Sequence, residues 1–126
     1  MYTYSRSTDL TYGDLEPSVV NIGRAARQNR SLRANLWIGE YLRLTLMSIP
    51  VGEEIGIEVC PSLDQFFLME DGNGYVTLGP RKDTLCCRRN ICENHGVIIP
   101  AGTWYNLVNT GYRPIKLYAI SAPSSY

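Results

Sequence analysis

From Tyr41 onward, apolar and polar residues alternate along the chain. Leu42, Leu44 and Leu46 fall on one face of an extended segment, Arg43 and Thr45 on the other, and Pro50-Val51-Gly52-Glu53 ends the run. Short segments of strand character recur at 55–60, 65–70, 75–78, 97–99, 104–109 and 115–121, each bounded by turn residues. Asp71-Gly72-Asn73-Gly74 predicts a tight hairpin, because Gly and Asn tolerate the positive φ that such turns need. Upstream, 17–22 predicts a short strand, and 25–30, rich in Ala, Arg and Gln, predicts a helical turn. Residues 1–16 are polar and Tyr-rich without a period and read as an arm or loop. No segment predicts a helix of ten or more residues. Short strands at this spacing predict an all-β sandwich or barrel.

Composition narrows the function more than the fold. The chain has 126 residues, 12 basic and 12 acidic side chains and zero formal charge, which predicts a single domain over 1–126. Without a basic cluster, nucleic acid is not expected as a partner. No apolar run approaches the roughly 18–20 residues of a membrane span. The start, Met1-Tyr2-Thr3-Tyr4-Ser5-Arg6, lacks the basic-then-apolar layout of a signal peptide. A cytoplasmic location is the expectation, and with it reduced thiols at Cys60, Cys86, Cys87 and Cys92. The Cys86-Cys87-x4-Cys92 run lacks the paired spacing of a structural zinc site, and adjacent cysteines in an extended chain face opposite ways. Asp64 and Glu70 are expected to meet solvent or a turn, and the doublets Arg81-Lys82 and Arg88-Arg89 to lie solvated in a loop. His95, in the turn Asn94-His95-Gly96, is not expected to reach Cys60. The nine Tyr are expected to be dispersed over strands and arm rather than to line a pocket.

Two stretches carry more than periodicity. One runs Gly52-x5-Glu58-x-Cys60-x4-Gln65-x6-Gly72, the other Pro100-x-Gly102-x2-Tyr105-x3-Asn109. Their spacing resembles the two motifs of the cupin superfamily: a Gly, then H-x-H, an acidic residue and a Gly, followed by P-x-G, a His and an Asn. Asn94 stands where the second motif usually opens with Gly. The wording Glu58-Val59-Cys60-Pro61-Ser62-Leu63-Asp64-Gln65-Phe66 and Pro100-Ala101-Gly102-Thr103-Trp104-Tyr105-Asn106 resembles a branch of small single-domain bacterial cupins, of mannose-6-phosphate-isomerase-like type. The resemblance covers 17–123. It implies a double-stranded β-helix, a jelly-roll barrel of about eight to ten strands. It also implies a homodimer whose arm, 1–16, covers the neighbour's sheet edge.

The resemblance implies a metal site as well, and here the chain departs from it. Cupins hold a divalent metal with three His and one acidic residue, and the branch carries Glu, His, Gln and His at the four positions. This chain has Glu58, Cys60, Gln65 and Tyr105, and the branch's Ala-Pro-x-x-His ending is replaced by Ala122-Pro123-Ser124-Ser125-Tyr126. Imidazole is the preferred neutral protein ligand for Fe, Ni, Cu and Zn. A thiol binds only as thiolate, a Gln amide is a weak donor, and a phenol titrates near pH 10 or so. The expectation is a degenerate site with no cofactor, Tyr105 filling its volume and bonding to Glu58 or Gln65. The protein would then be a non-catalytic barrel with a small-molecule-binding or structural role. The alternative is a metal-dependent enzyme of sugar-phosphate isomerase or dioxygenase type, with zinc held by Glu58, Cys60 and Gln65.

Overall fold

The computed structural model describes residues 17–123. One helix, α1 (Ile22–Gln28), precedes nine strands among these residues: β1 (Arg33–Ile38), β2 (Arg43–Ile49), β3 (Glu58–Val59), β4 (Leu63–Asp71), β5 (Asn73–Gly79), β6 (Cys87–Cys92), β7 (Gly96–Ile99), β8 (Trp104–Asn109) and β9 (Ile115–Pro123). They form a five-stranded sheet, β1-β2-β9-β4-β7, and a four-stranded sheet, β3-β8-β5-β6. Every pairing is antiparallel. The sheets face each other as a double-stranded β-helix. Phe67, Met69, Val76, Ile91, Ile99, Leu107, Ile115 and Leu117 are buried between them.

A second core lies on the outer side of the five-stranded sheet. There Ala25 and Ala26 of α1 pack with Ala34, Leu36 and Leu46, flanked by Ile22, Leu44 and Tyr118. β2 therefore serves both cores, Leu44 and Leu46 pointing out and Met47 and Ile49 in. Leu42 does not join them: it precedes the strand and is exposed. Among the described residues, no helix is long and apolar enough to cross a membrane.

Five local readings are corrected. Segment 17–22 is not a strand, because Asn21 caps the helix, its side chain accepting from the Arg24 amide at 3.0 Å, and Ile22 opens α1. The helical turn read at 25–30 ends at Gln28. Segment 55–60 keeps only Glu58–Val59 as strand, and Arg88-Arg89 belong to β6, not to a loop. The hairpin read at Asp71-Gly72-Asn73-Gly74 is a corner: β4 and β5 do not pair but lie in different sheets. Gly72 makes the corner with φ +89°, and a Cβ there would stand 2.9 Å from the Ile115 Cα. Strand β1 was not foreseen. The arm at 1–16 lies outside the described residues.

Candidate functional site

The short strand β3 pairs with β8 so that Glu58 stands opposite Tyr105. Tyr105 points into the barrel and is 2% exposed, its ring edge-on to Phe67 with centroids 5.7 Å apart. Gln65, near the start of β4 in the opposite sheet, donates from Nε2 to the Tyr105 hydroxyl at 3.1 Å. The hydroxyl donates onward to Glu58 Oε1, also at 3.1 Å. Arg33, the first residue of β1, closes the chain by donating from its guanidinium to Glu58 Oε2. The result is a continuous polar line, Gln65–Tyr105–Glu58–Arg33, running between the two sheets.

Electrostatics follow from this arrangement. Burial pushes the Tyr105 phenol well above its ordinary value, and the Glu58 carboxylate and Cys60 push the same way, while the Gln65 hydrogen bond opposes. The hydroxyl is therefore a protonated donor at neutral pH. Arg33 is held further in its charged form, first by its hydrogen bond to Glu58 and against the desolvation of partial burial.

Three of the four residues singled out in the sequence thus share one hydrogen-bonded line. The fourth, Cys60, follows β3 half-buried with a free thiol, its carbonyl accepting from the Gly102 amide at 2.9 Å. Arg33 was missed. Its only signal was the alternation of Arg33-Ala34-Asn35-Leu36, which marks a strand but says nothing of what the strand faces.

The other candidates disperse. Asp64 accepts from the Ala101 amide at 2.8 Å, and Glu70 pairs with Arg27 at 2.6 Å. His95 belongs to the turn after β6: its Nδ1 accepts from the Cys92 amide at 3.0 Å and its Nε2 lies 4.0 Å from the Cys92 sulfur. Asn94 takes the left-handed conformation there, φ 71°, as a glycine would. Cys86, Cys87 and Cys92 are free thiols. Arg88 lies over the Tyr75 ring at 3.6 Å. Among the described residues, no three His, Cys, Asp or Glu side chains gather into a group that could hold a metal ion. An open pocket of about 440 Å³ is lined by Leu78, Pro80, Cys86, Cys87, Gly102 and Thr103 among others.

No family model matches the chain. The uncharacterized protein YrkC of Bacillus subtilis (strain 168) is 47% identical over 111 residues, which are 88% of this chain and 60% of YrkC. The chain thus spans less than two thirds of that curated relative. The crystal structure of BH2720 from Bacillus halodurans is 47% identical and superposes with a TM-score of 0.86, covering 93% of this chain and 89% of BH2720. The Cnp3 cupin domain of Schizosaccharomyces pombe shares the fold at 21% identity, with a TM-score of 0.65 over 72% of this chain and 59% of that one.

Proposed function

The chain has the cupin double-stranded β-helix fold and belongs to one family with BH2720, and from that premise we propose that it is a cupin whose barrel has exchanged metal chemistry for a polar plug. In this reading the protein is a non-catalytic member of the small bacterial, mannose-6-phosphate-isomerase-like branch, with a small-molecule-binding or structural role. The observation that carries the reading is the buried Tyr105 hydroxyl bonded to both Gln65 and Glu58.

Glu58, Cys60, Gln65 and Tyr105 do not fit a divalent cation. Both Glu58 oxygens are engaged, one by Tyr105 and one by Arg33. The phenol keeps its proton, and a metal would have to displace it. The amide of Gln65 is a weak donor, which leaves Cys60 as the strong ligand, and only as thiolate. The alternative enzyme, with zinc on Glu58, Cys60 and Gln65, would first have to break the Glu58 bonds to Tyr105 and Arg33.

Metal content decides between them. Untagged protein is expected to carry well under one equivalent of iron, nickel, manganese or zinc by plasma mass spectrometry. Its melting temperature should be unmoved by EDTA, since only a ligand bound to the native state raises stability. A drop of several degrees on chelation would overturn the plug and restore the enzyme.

The reading extends to a homodimer in the cytoplasm. Strand β7 is an edge of the five-stranded sheet, and its Ile98 is 73% exposed. Among the described residues no strand pairs beyond β7, so this apolar side chain lies on an edge of the kind that proteins usually cover. A monomeric mass by light scattering would count against it.

A further inference from the structure

We propose that Arg33 is a built-in cation that takes the place of a metal's charge at Glu58 and excludes divalent ions from this end of the barrel. The inference rests on the reading of the site as a lapsed metal centre and adds a residue outside the four positions.

The argument is geometric. Glu58 points between the sheets, its side chain about one third exposed at 32%. A carboxylate so placed needs a compensating charge or donors on its oxygens. Tyr105 donates to Oε1, and the guanidinium takes Oε2. That guanidinium comes from β1, in the five-stranded sheet, whereas Glu58 is on β3 of the other. The pair therefore bridges the two layers at the plug. The remaining ion pairs of the described residues lie elsewhere: Arg27–Glu70 joins α1 to β4, and Arg113–Asp71 sits at the β4–β5 corner.

The hydrogen bond to Glu58 favours the charged form of Arg33 most, against the desolvation of partial burial, with smaller contributions from Tyr105 and Cys60. A planar guanidinium suits a carboxylate partner, stays charged at every physiological pH and cannot be deprotonated to make way for a metal. It would act against a cation twice, by occupying an oxygen of Glu58 and by placing a like charge beside the ion.

The test restores the imidazoles and then removes the guanidinium. Cys60→His/Tyr105→His protein is titrated with nickel or manganese by calorimetry, alone and with Arg33→Gln or Arg33→Lys added. Circular dichroism confirms the fold of each. Arg33→Gln is expected to tighten binding about tenfold or more, the scale on which groups behind a metal ligand act. Arg33→Lys, which keeps the charge, should bind as weakly as the double variant. Equal or weaker binding after Arg33→Gln, or equal tightening by Arg33→Lys, would overturn the role given to Arg33 and leave the lapsed-site reading standing. Absence of binding in every folded variant would overturn the lapsed-site reading itself, and this inference with it.

Discussion

Tyr105 is both a packing residue and a proton holder, and the two roles separate on mutation. Tyr105→Phe keeps the ring against Phe67 but strands the Gln65 donor and the Oε1 of Glu58. It should destabilise by about 1 kcal/mol, rising toward 3 if both groups stay dry. Tyr105→Ala opens a cavity as well and should cost about 3–5 kcal/mol. Denaturant midpoints at neutral pH check both. Alkali supplies a second readout. Below about pH 10 the phenol is protonated whether the chain is folded or not. Above it the unfolded chain releases the proton while the folded chain, whose value is raised by burial, retains it. Stability from this group is thus present in full below pH 10 and should fall by up to about 1.4 kcal/mol per further pH unit. Tyr118, also raised by burial, stays in both proteins, so the difference between wild type and Tyr105→Phe isolates Tyr105. Equal loss in the two between pH 9 and 11 would contradict the buried donor. The partners of Tyr105 were legible through the resemblance to the cupin motifs, which implies that 58, 65 and 105 share one site. Arg33 was not legible, because an ion pair between two sheets leaves no mark on either strand's alternation.

At the scale of elements, the strands of strongest alternation were readable and their partners were not. Segment 104–109 is strand from end to end as expected. The β4–β5 connection misled because a hairpin and a corner call for the same residues. What separates them is that β4 pairs with β7 and β9, contacts made far along the chain. The 17–22 misreading has the opposite cause, a capping side chain that outweighs two adjacent valines. The corner makes a prediction that a hairpin would not. Gly52 and Gly72 both have positive φ, but a Cβ at Gly52 meets nothing within 4 Å, whereas at Gly72 it meets Ile115 Cα and Pro114 O at 2.9 Å. Gly52→Ala should carry only the left-handed penalty of roughly 1–2 kcal/mol. Gly72→Ala should add an overpacking term of about 1–3 kcal/mol. Equal destabilisation in chemical unfolding would mean that the corner is looser than its contacts imply.

At the scale of the molecule, the five-stranded sheet is a wall between two cores. α1 covers its outer side, Ala25 and Ala26 packing against Ala34 and Leu36 of β1 and Leu46 of β2, while its inner side carries Phe67, Ile99 and Leu117 and the polar line through Gln65. Neither core was visible as a unit in the sequence, since adjacent residues such as Leu46 and Met47 enter different ones. Leu36 lies on β1 and Ile99 on β7, opposite edges of the sheet. Four strand spacings of about 4.8 Å separate them by roughly 19 Å, beyond the distance at which mutations couple. Leu36→Ala should cost about 2–5 kcal/mol and Ile99→Val about 0.5–1.5 kcal/mol. The double variant should equal their sum to within about 0.5 kcal/mol. The site should separate them too. Ile99 is the register partner of Gln65, so Ile99→Val should disturb the near-ultraviolet signal of Tyr105, read as the part that Tyr105→Phe abolishes. Leu36→Ala, on the far side of the sheet, should leave that signal intact while the protein remains folded. Strong coupling in the cycle, or loss of the Tyr105 signal in Leu36→Ala, would mean that the wall transmits what it is here taken to divide.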